Sequence, residues 1–105
     1  MPDTTAPPPA PHQRLTALVH GFVQNVGYRD FCRRQAYRLS PTDLSGYARN
    51  LSSGSTVEVV AEGPRQLLDS LLQQLHQGPG MARVSSIDAT WSTATHEFDR
   101  FTTRY

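Results

Sequence analysis

A small α+β sandwich, an antiparallel sheet of four or five strands with two helices on one face, is predicted by three features of the sequence. Its 105 residues leave room for one core, because a chain of that length buries roughly two thirds of its surface on folding. Apolar residues alternate over several segments and recur at three-to-four spacing over two others. Those segments follow one another as strand, helix, strand, strand, helix, strand, with one more short strand at the end. That order is the split βαβ pattern of the ferredoxin-like fold.

Over residues 14–20 the run RLTALVH sets Leu15, Ala17 and Val19 on one face, as in a strand with one side on a core. HGFVQNVG then breaks the alternation with Gly21, Asn25 and Gly27, residue types that tolerate positive φ and let backbone approach a ligand. From Tyr28 to Leu39 the apolar positions Tyr28, Phe31, Cys32, Ala36 and Leu39 make a helical stripe, with Arg33, Arg34 and Arg38 opposite. Ser40-Pro41 closes that helix, since the residue before proline avoids helical dihedrals and proline has no N–H to offer. Residues 44–50 hold a weaker strand signal in Tyr47 and Ala48, residues 51–54 read as a turn, and residues 56–61 form a stronger strand through Val57, Val59 and Ala61. Together they predict a hairpin. Gly63-Pro64 opens a second helix with proline at its first position, and Leu67, Leu68, Leu71, Leu72 and Leu75 are its core stripe up to Gly78-Pro79-Gly80. Val84, Ile87, Ala89 and Trp91 predict a fourth strand whose uneven step from Val84 to Ile87 marks a bulge. The last strand alternates Phe101, Thr103 and Tyr105. No repeat with a period of 20 to 50 residues is visible.

Ten cations, all arginine, stand against nine acidic residues, so the net charge of +1 gives no footprint for nucleic acid or an anionic membrane. Any anion site must be local, and arginine suits planar, bidentate contacts. Cys32 is the one cysteine, which excludes an internal disulfide and a thiolate metal cluster and reads as a small core residue. His12, His20, His76 and His96 are dispersed and lack metal-ligand spacing. Residues 1–12, rich in proline, are expected to form a disordered tail, with the domain running over 13–105. The N-terminus lacks the basic and apolar regions of a secretory signal, and no apolar run approaches the ~20 residues of a membrane span. The expectation is a cytoplasmic protein.

A glycine-bearing loop that leaves a strand and enters a helix is an anion site in waiting, because the free N–H groups and positive dipole end of the helix point at whatever the loop encloses. In HGFVQNVGYR the amides of Gln24 through Arg29 can curl around one phosphate and the Arg29 guanidinium can pair two of its oxygens. Spacing alone leaves this reading beside that of a structural turn. The loop is not a P-loop, since no Lys-Ser/Thr follows the second glycine. Asn50, at the end of GYARN, reads by itself as a turn residue.

VHGFVQNVGYRDF resembles the first signature of the acylphosphatase family, G-x-V-Q-G-V-G-[FY]-R after an apolar and a variable residue. GYARNLSSGSTVEVVAEG resembles the second, and the likeness extends over roughly residues 14 to 105. This chain has Asn25 where the family usually has glycine, the non-glycine type that best tolerates a left-handed backbone. It is also about three residues longer than usual in LSPTDLSG. The resemblance implies an enzyme that hydrolyses acyl phosphates to carboxylate and inorganic phosphate without metal or cofactor. It implies that Arg29 binds phosphate, that Asn50 positions the attacking water, and that Phe22, Val23, Gln24, Asn25, Val26, Gly27 and Tyr28 form the phosphate cradle with Arg29.

His20 precedes that loop and is a candidate for lining the pocket, against the plainer reading of a strand-end histidine, and Asp30 reads as a helix-start acid rather than a base. The expected partners are the small acyl phosphate and inorganic phosphate, with no nucleic acid, no membrane and a monomeric state. Two rivals are weighed against this reading. An RNA-recognition module on the same fold wants aromatics and basic neighbours on the central strands, whereas these read LTALV and TVEVV. A catalytically quiet domain of a larger enzyme is disfavoured by the presence of both Arg29 and Asn50.

Overall fold

The computed structural model describes residues 11–105. The elements are β1 (His12–Phe22), α1 (Tyr28–Leu39), β2 (Ser45–Asn50), β3 (Thr56–Pro64), α2 (Arg65–Gln77), β4 (Arg83–Thr93) and β5 (Phe101–Arg104). The strands form one sheet in the order β4-β1-β3-β2-β5, so the ferredoxin-like α+β prediction holds. The tail predicted over residues 1–12 lies outside the described residues but for Pro11 and His12, and His12 already opens β1. No helix among the described residues is long and apolar enough to cross a membrane.

The core forms where the period-two and period-3.6 patterns meet. Leu15, Ala17 and Val19 of β1 face Ala61, Val59 and Val57 of β3 across an antiparallel ladder, and all six are fully buried. Onto them α1 lays Tyr28, Phe31, Cys32 and Ala36, and α2 lays Leu68, Leu71 and Leu75. Each of the large aliphatic side chains contributes about 1.5–3 kcal/mol by leaving water. Leu67 and Leu72 flank the stripe and are only partly buried. Burial pushes the Cys32 thiol pKa upward and keeps it protonated, as a core residue rather than a nucleophile.

One boundary and one strand direction differ from the sequence reading. Proline 64 is not the first helical residue: the β1–β3 ladder continues to the pair His12↔Pro64, so Pro64 stays extended at φ −60°, ψ 142° and α2 starts at Arg65. The sheet is also not wholly antiparallel, because β5 lies parallel to β2 at the edge. The cause is topological. β4 lies at the opposite edge, antiparallel to β1, and a chain that crosses the end of the sheet from there returns in the direction β2 already takes. The predicted bulge is present: His20 pairs with Ser86 and Gly21 with Val84, leaving Ser85 unpaired, with its hydroxyl donating to the His20 carbonyl at 2.9 Å. Gly21 therefore belongs to this strand crossing rather than to the loop, as a Cβ there would sit 2.1 Å from the Arg83 carbonyl.

The β4–β5 crossover is pinned to the sheet face that the helices leave open. Glu62, 2% exposed, accepts hydrogen bonds from the Thr95 amide (2.8 Å), the Thr95 hydroxyl (3.0 Å), the His96 amide (2.8 Å) and Arg14 Nε (2.8 Å). Burial alone would raise its pKa, but these donors outweigh it and hold the carboxyl below its ordinary range. Arg14 also pairs with Glu97, and Phe98 packs edge-on against Tyr47. The crossover thus delivers β5 beside β2, with consequences for the site.

Candidate active site

The ends of β1, β2 and β5 and the start of α1 converge at one end of the sheet. Between β1 and α1 the chain turns through two left-handed residues, Asn25 at φ 62° and Gly27 at φ 78°. Space around Gly27 is open, so its requirement there is the backbone angle alone. Asparagine meets the same requirement at position 25, which explains how the loop forms without the expected glycine. Gly27 is the N-cap of α1, and among the described residues no side chain caps the helix. Among the described residues, no hydrogen bond is donated by a backbone amide from Gln24 to Asp30. A run of free donors at the positive end of a helix dipole attracts an anion.

This loop borders a pocket of about 270 Å³ lined by Val23, Asn25, Gly27, Tyr28, Arg29 and Asp30 from the loop and helix, and by Asn50, Thr103 and Tyr105 from β2 and the last strand. Arg29 Nη1 donates to the Arg104 carbonyl at 2.7 Å, and its guanidinium carbon lies 4.8 Å from the Tyr105 ring centroid. The guanidinium is held from one side, which leaves its other donors for a ligand. Asn50 Oδ1 is buried, and no group among the described residues donates to it. A buried acceptor without a partner costs about 1–3 kcal/mol, which a fold tolerates where the atom has a task.

The predicted residues divide. Val23, Asn25, Gly27, Tyr28, Arg29 and Asn50 are brought together, while Phe22, Gln24 and Val26 direct their side chains elsewhere. Phe22 is exposed and Val26 packs against the core. Tyr28 is anchored from below, its hydroxyl donating to the Leu75 carbonyl at 2.6 Å, and burial drives its pKa up. Gln24 is a staple: its amide nitrogen donates to the carbonyls of Leu51 at 2.8 Å and Thr56 at 2.9 Å, tying the loop to the turn that follows Asn50.

His20 takes the strand-end reading, on the open face between the Thr56 hydroxyl (3.0 Å) and Asp88 (2.9 Å) and away from the pocket. Asp30 is held by Arg33 and Arg34, whose hydrogen bonds and charge keep its carboxyl below the ordinary range. It stays ionised near the helix start and has no proton to give. Thr103 and Tyr105 escaped the sequence reading as site residues. Their alternation was legible, but only the parallel pairing of β5 with β2 brings them beside Asn50.

A family model described as acylphosphatase matches residues 15–103. The chain belongs to the acylphosphatase family. That match spans every residue lining the pocket but Tyr105. An acylphosphatase of Salinibacter ruber is 46% identical over 88% of this chain and 93% of its own length. One of Thermus thermophilus is 53% identical over 74% of this chain and 84% of its own. The crystal structure of an acylphosphatase from Bacillus subtilis superposes with a TM-score of 0.81 at 31% identity, over 89% of this chain and 99% of that one. Membership in the acylphosphatase family makes this a hydrolase acting on acyl phosphates.

Proposed function

We propose that the pocket hydrolyses the carboxyl–phosphate bond of acyl phosphates by direct attack of water on a phosphoryl group held by Arg29 and the loop amides, with Asn50 orienting the water. One observation carries this reading: the Arg29 guanidinium, loop residues whose amides donate to no group among the described residues, and a buried Asn50 oxygen likewise without a donor there line one pocket. The leaving group is a carboxylate whose acid has a pKa near ~4 to 5, so it departs at neutral pH without a proton from the enzyme. What remains is to fix the phosphoryl group, offset the charge on its oxygens and place water in line. Arg29 and the amides do the first two. Asn50 Oδ1 accepts from the water, whose oxygen bonds to phosphorus as the bridging P–O bond breaks and the electron pair leaves with the carboxylate. The water's proton passes to a phosphate oxygen.

The rivals have less support. The open sheet face carries Thr16, Leu18, Glu58, Val60 and Glu62 on its central strands and is partly covered by the crossover, a poor platform for stacking bases. Among the described residues no three His, Cys, Asp or Glu side chains are grouped to hold a metal ion. The test is phosphate release from benzoyl phosphate with and without a chelator. Release unchanged by the chelator is expected. No release would favour the quiet-domain reading, and release abolished by the chelator would refute the metal-free mechanism.

A further inference from the structure

A second cavity, of about 420 Å³, opens between the later turns of α1 and the start of β5. Thr103 lines both it and the catalytic pocket, so the two adjoin at β5. On α1 the residues Arg29, Arg33 and Tyr37 follow at one-turn intervals, about 6 Å apart along the axis. Arg29 reaches β5 through the Arg104 carbonyl, and Arg33 and Tyr37 line the cavity below it. An acyl group attached to a phosphoryl group on Arg29 therefore finds a groove that begins at Thr103 and runs along this flank of the helix.

The groove has a definite chemistry. Its floor is apolar, with Leu44 2% and Phe101 8% exposed. Tyr37 is 67% exposed on the side of α1 that otherwise carries Arg33, Arg34 and Arg38, where core packing does not call for a ring. The rim is basic and no acidic side chain among the described residues lines the cavity. Asp30 is shared between Arg33 at 2.6 Å and Arg34 at 3.0 Å, one carboxylate against two guanidinium groups. The Arg100 side chain makes no hydrogen bond or ion pair among the described residues.

We propose that this groove is the acyl subsite, taking acyl phosphates whose acyl group has an apolar or aromatic body and ends in a second anion bound by Arg33 and Arg100. The proposal rests on the phosphoryl-binding role given above to Arg29. The probe pair is benzoyl phosphate and 4-carboxybenzoyl phosphate, which differ by one carboxylate on the far side of the ring. In Arg100→Ala and in Arg33→Ala the kcat/KM for the carboxylated substrate falls about tenfold, mainly through KM, the size expected of one partly exposed charge-assisted contact. Benzoyl phosphate stays within twofold, which also certifies the fold. Tyr37→Ala raises KM for both aryl substrates but not for acetyl phosphate. A substrate ratio unchanged in both arginine variants overturns the proposal. Binding of 4-carboxybenzylphosphonate by calorimetry reads the groove without turnover. A tenfold loss of affinity in the variants upholds the subsite even if the hydrolytic reading fails, and equal affinity in wild type and variants overturns it.

Discussion

Replacing Arg29 by alanine is expected to abolish hydrolysis at little cost in stability, and the structure allows both sides to be estimated. Among the described residues the guanidinium makes one hydrogen bond, to the Arg104 carbonyl, and one cation–π contact with Tyr105. Both are partly exposed, so their combined loss is about 1 kcal/mol, or roughly 4–8 °C in melting temperature for a domain of this size. Against a phosphoryl group the same guanidinium offers two charge-assisted hydrogen bonds of about 1.5–3 kcal/mol each. Their loss lowers kcat/KM by roughly 10²- to 10⁴-fold. Arg29→Lys keeps a point charge but not the planar fork, and should fall between, at about 10- to 10²-fold. The assay is phosphate release from benzoyl phosphate at constant ionic strength, beside a thermal melt of each variant. An alanine variant that kept more than a tenth of wild-type kcat/KM would remove Arg29 from its assigned role. A melt lowered far beyond the stated range would show that the lost activity reports the fold rather than the site.

Asn50→Ala should lower kcat by about 10²-fold while inhibition by inorganic phosphate changes little, since orientation of water counts mainly in the transition state. Gln24→Met removes the donor shared by the Leu51 and Thr56 carbonyls; a destabilisation of about 1–2 kcal/mol and a fall in kcat larger than the rise in KM are expected from denaturant melts and kinetics. Glu62→Gln breaks the acceptor set that holds the crossover and should cost about 2–4 kcal/mol at pH 7. The folded-state pKa of Glu62 lies below its usual 4.5. Its ionic contribution is therefore complete above the usual carboxylate range and lost as pH falls through the lower folded value, so the gap between wild type and Glu62→Gln should narrow progressively as the pH is taken below that range in urea melts. A gap that stayed constant with pH would show that the charge contributes nothing.

The parts of this protein legible in its sequence are those set by local period and backbone preference. Leu15, Ala17 and Val19 announce β1 by alternation, the leucines of α2 by helical spacing, and the step from Val84 to Ile87 a bulge that the register reproduces. Asn25 was readable as a left-handed residue because few other types adopt that angle without strain. What stayed hidden depends on pairings between distant segments. Thr103 enters the pocket only because β5 runs parallel to β2, and that direction follows from the crossover. Glu62 looks like an ordinary strand acid until the Thr95 and His96 amides close on it. Gln35 is buried within α1 although its type suggested solvent, because residues 28, 31, 32, 35 and 36 share one helix face.

A site whose leaving group needs no proton depends mainly on position, which changes where its sensitive residues lie. The loop amides are fixed by two left-handed residues, Arg29 is held by the Arg104 carbonyl, and Asn50 stands beside a turn that Gln24 ties to the loop. On the proposed mechanism Gln24 is a positioning residue, acting through the turn that follows Asn50. If Gln24 matters because it places the water that Asn50 orients, the two cannot lose the same positioning twice. The kcat of Gln24→Met with Asn50→Ala should then lie close to that of Asn50→Ala alone, a coupling of at least about 1 kcal/mol in the double-mutant cycle. The stability losses should instead add, because the Asn50 oxygen has no partner to lose among the described residues. Additive losses in kcat would mean that Gln24 acts on the cradle itself, and the link between loop and turn would have to be replaced by a direct effect on the phosphoryl site.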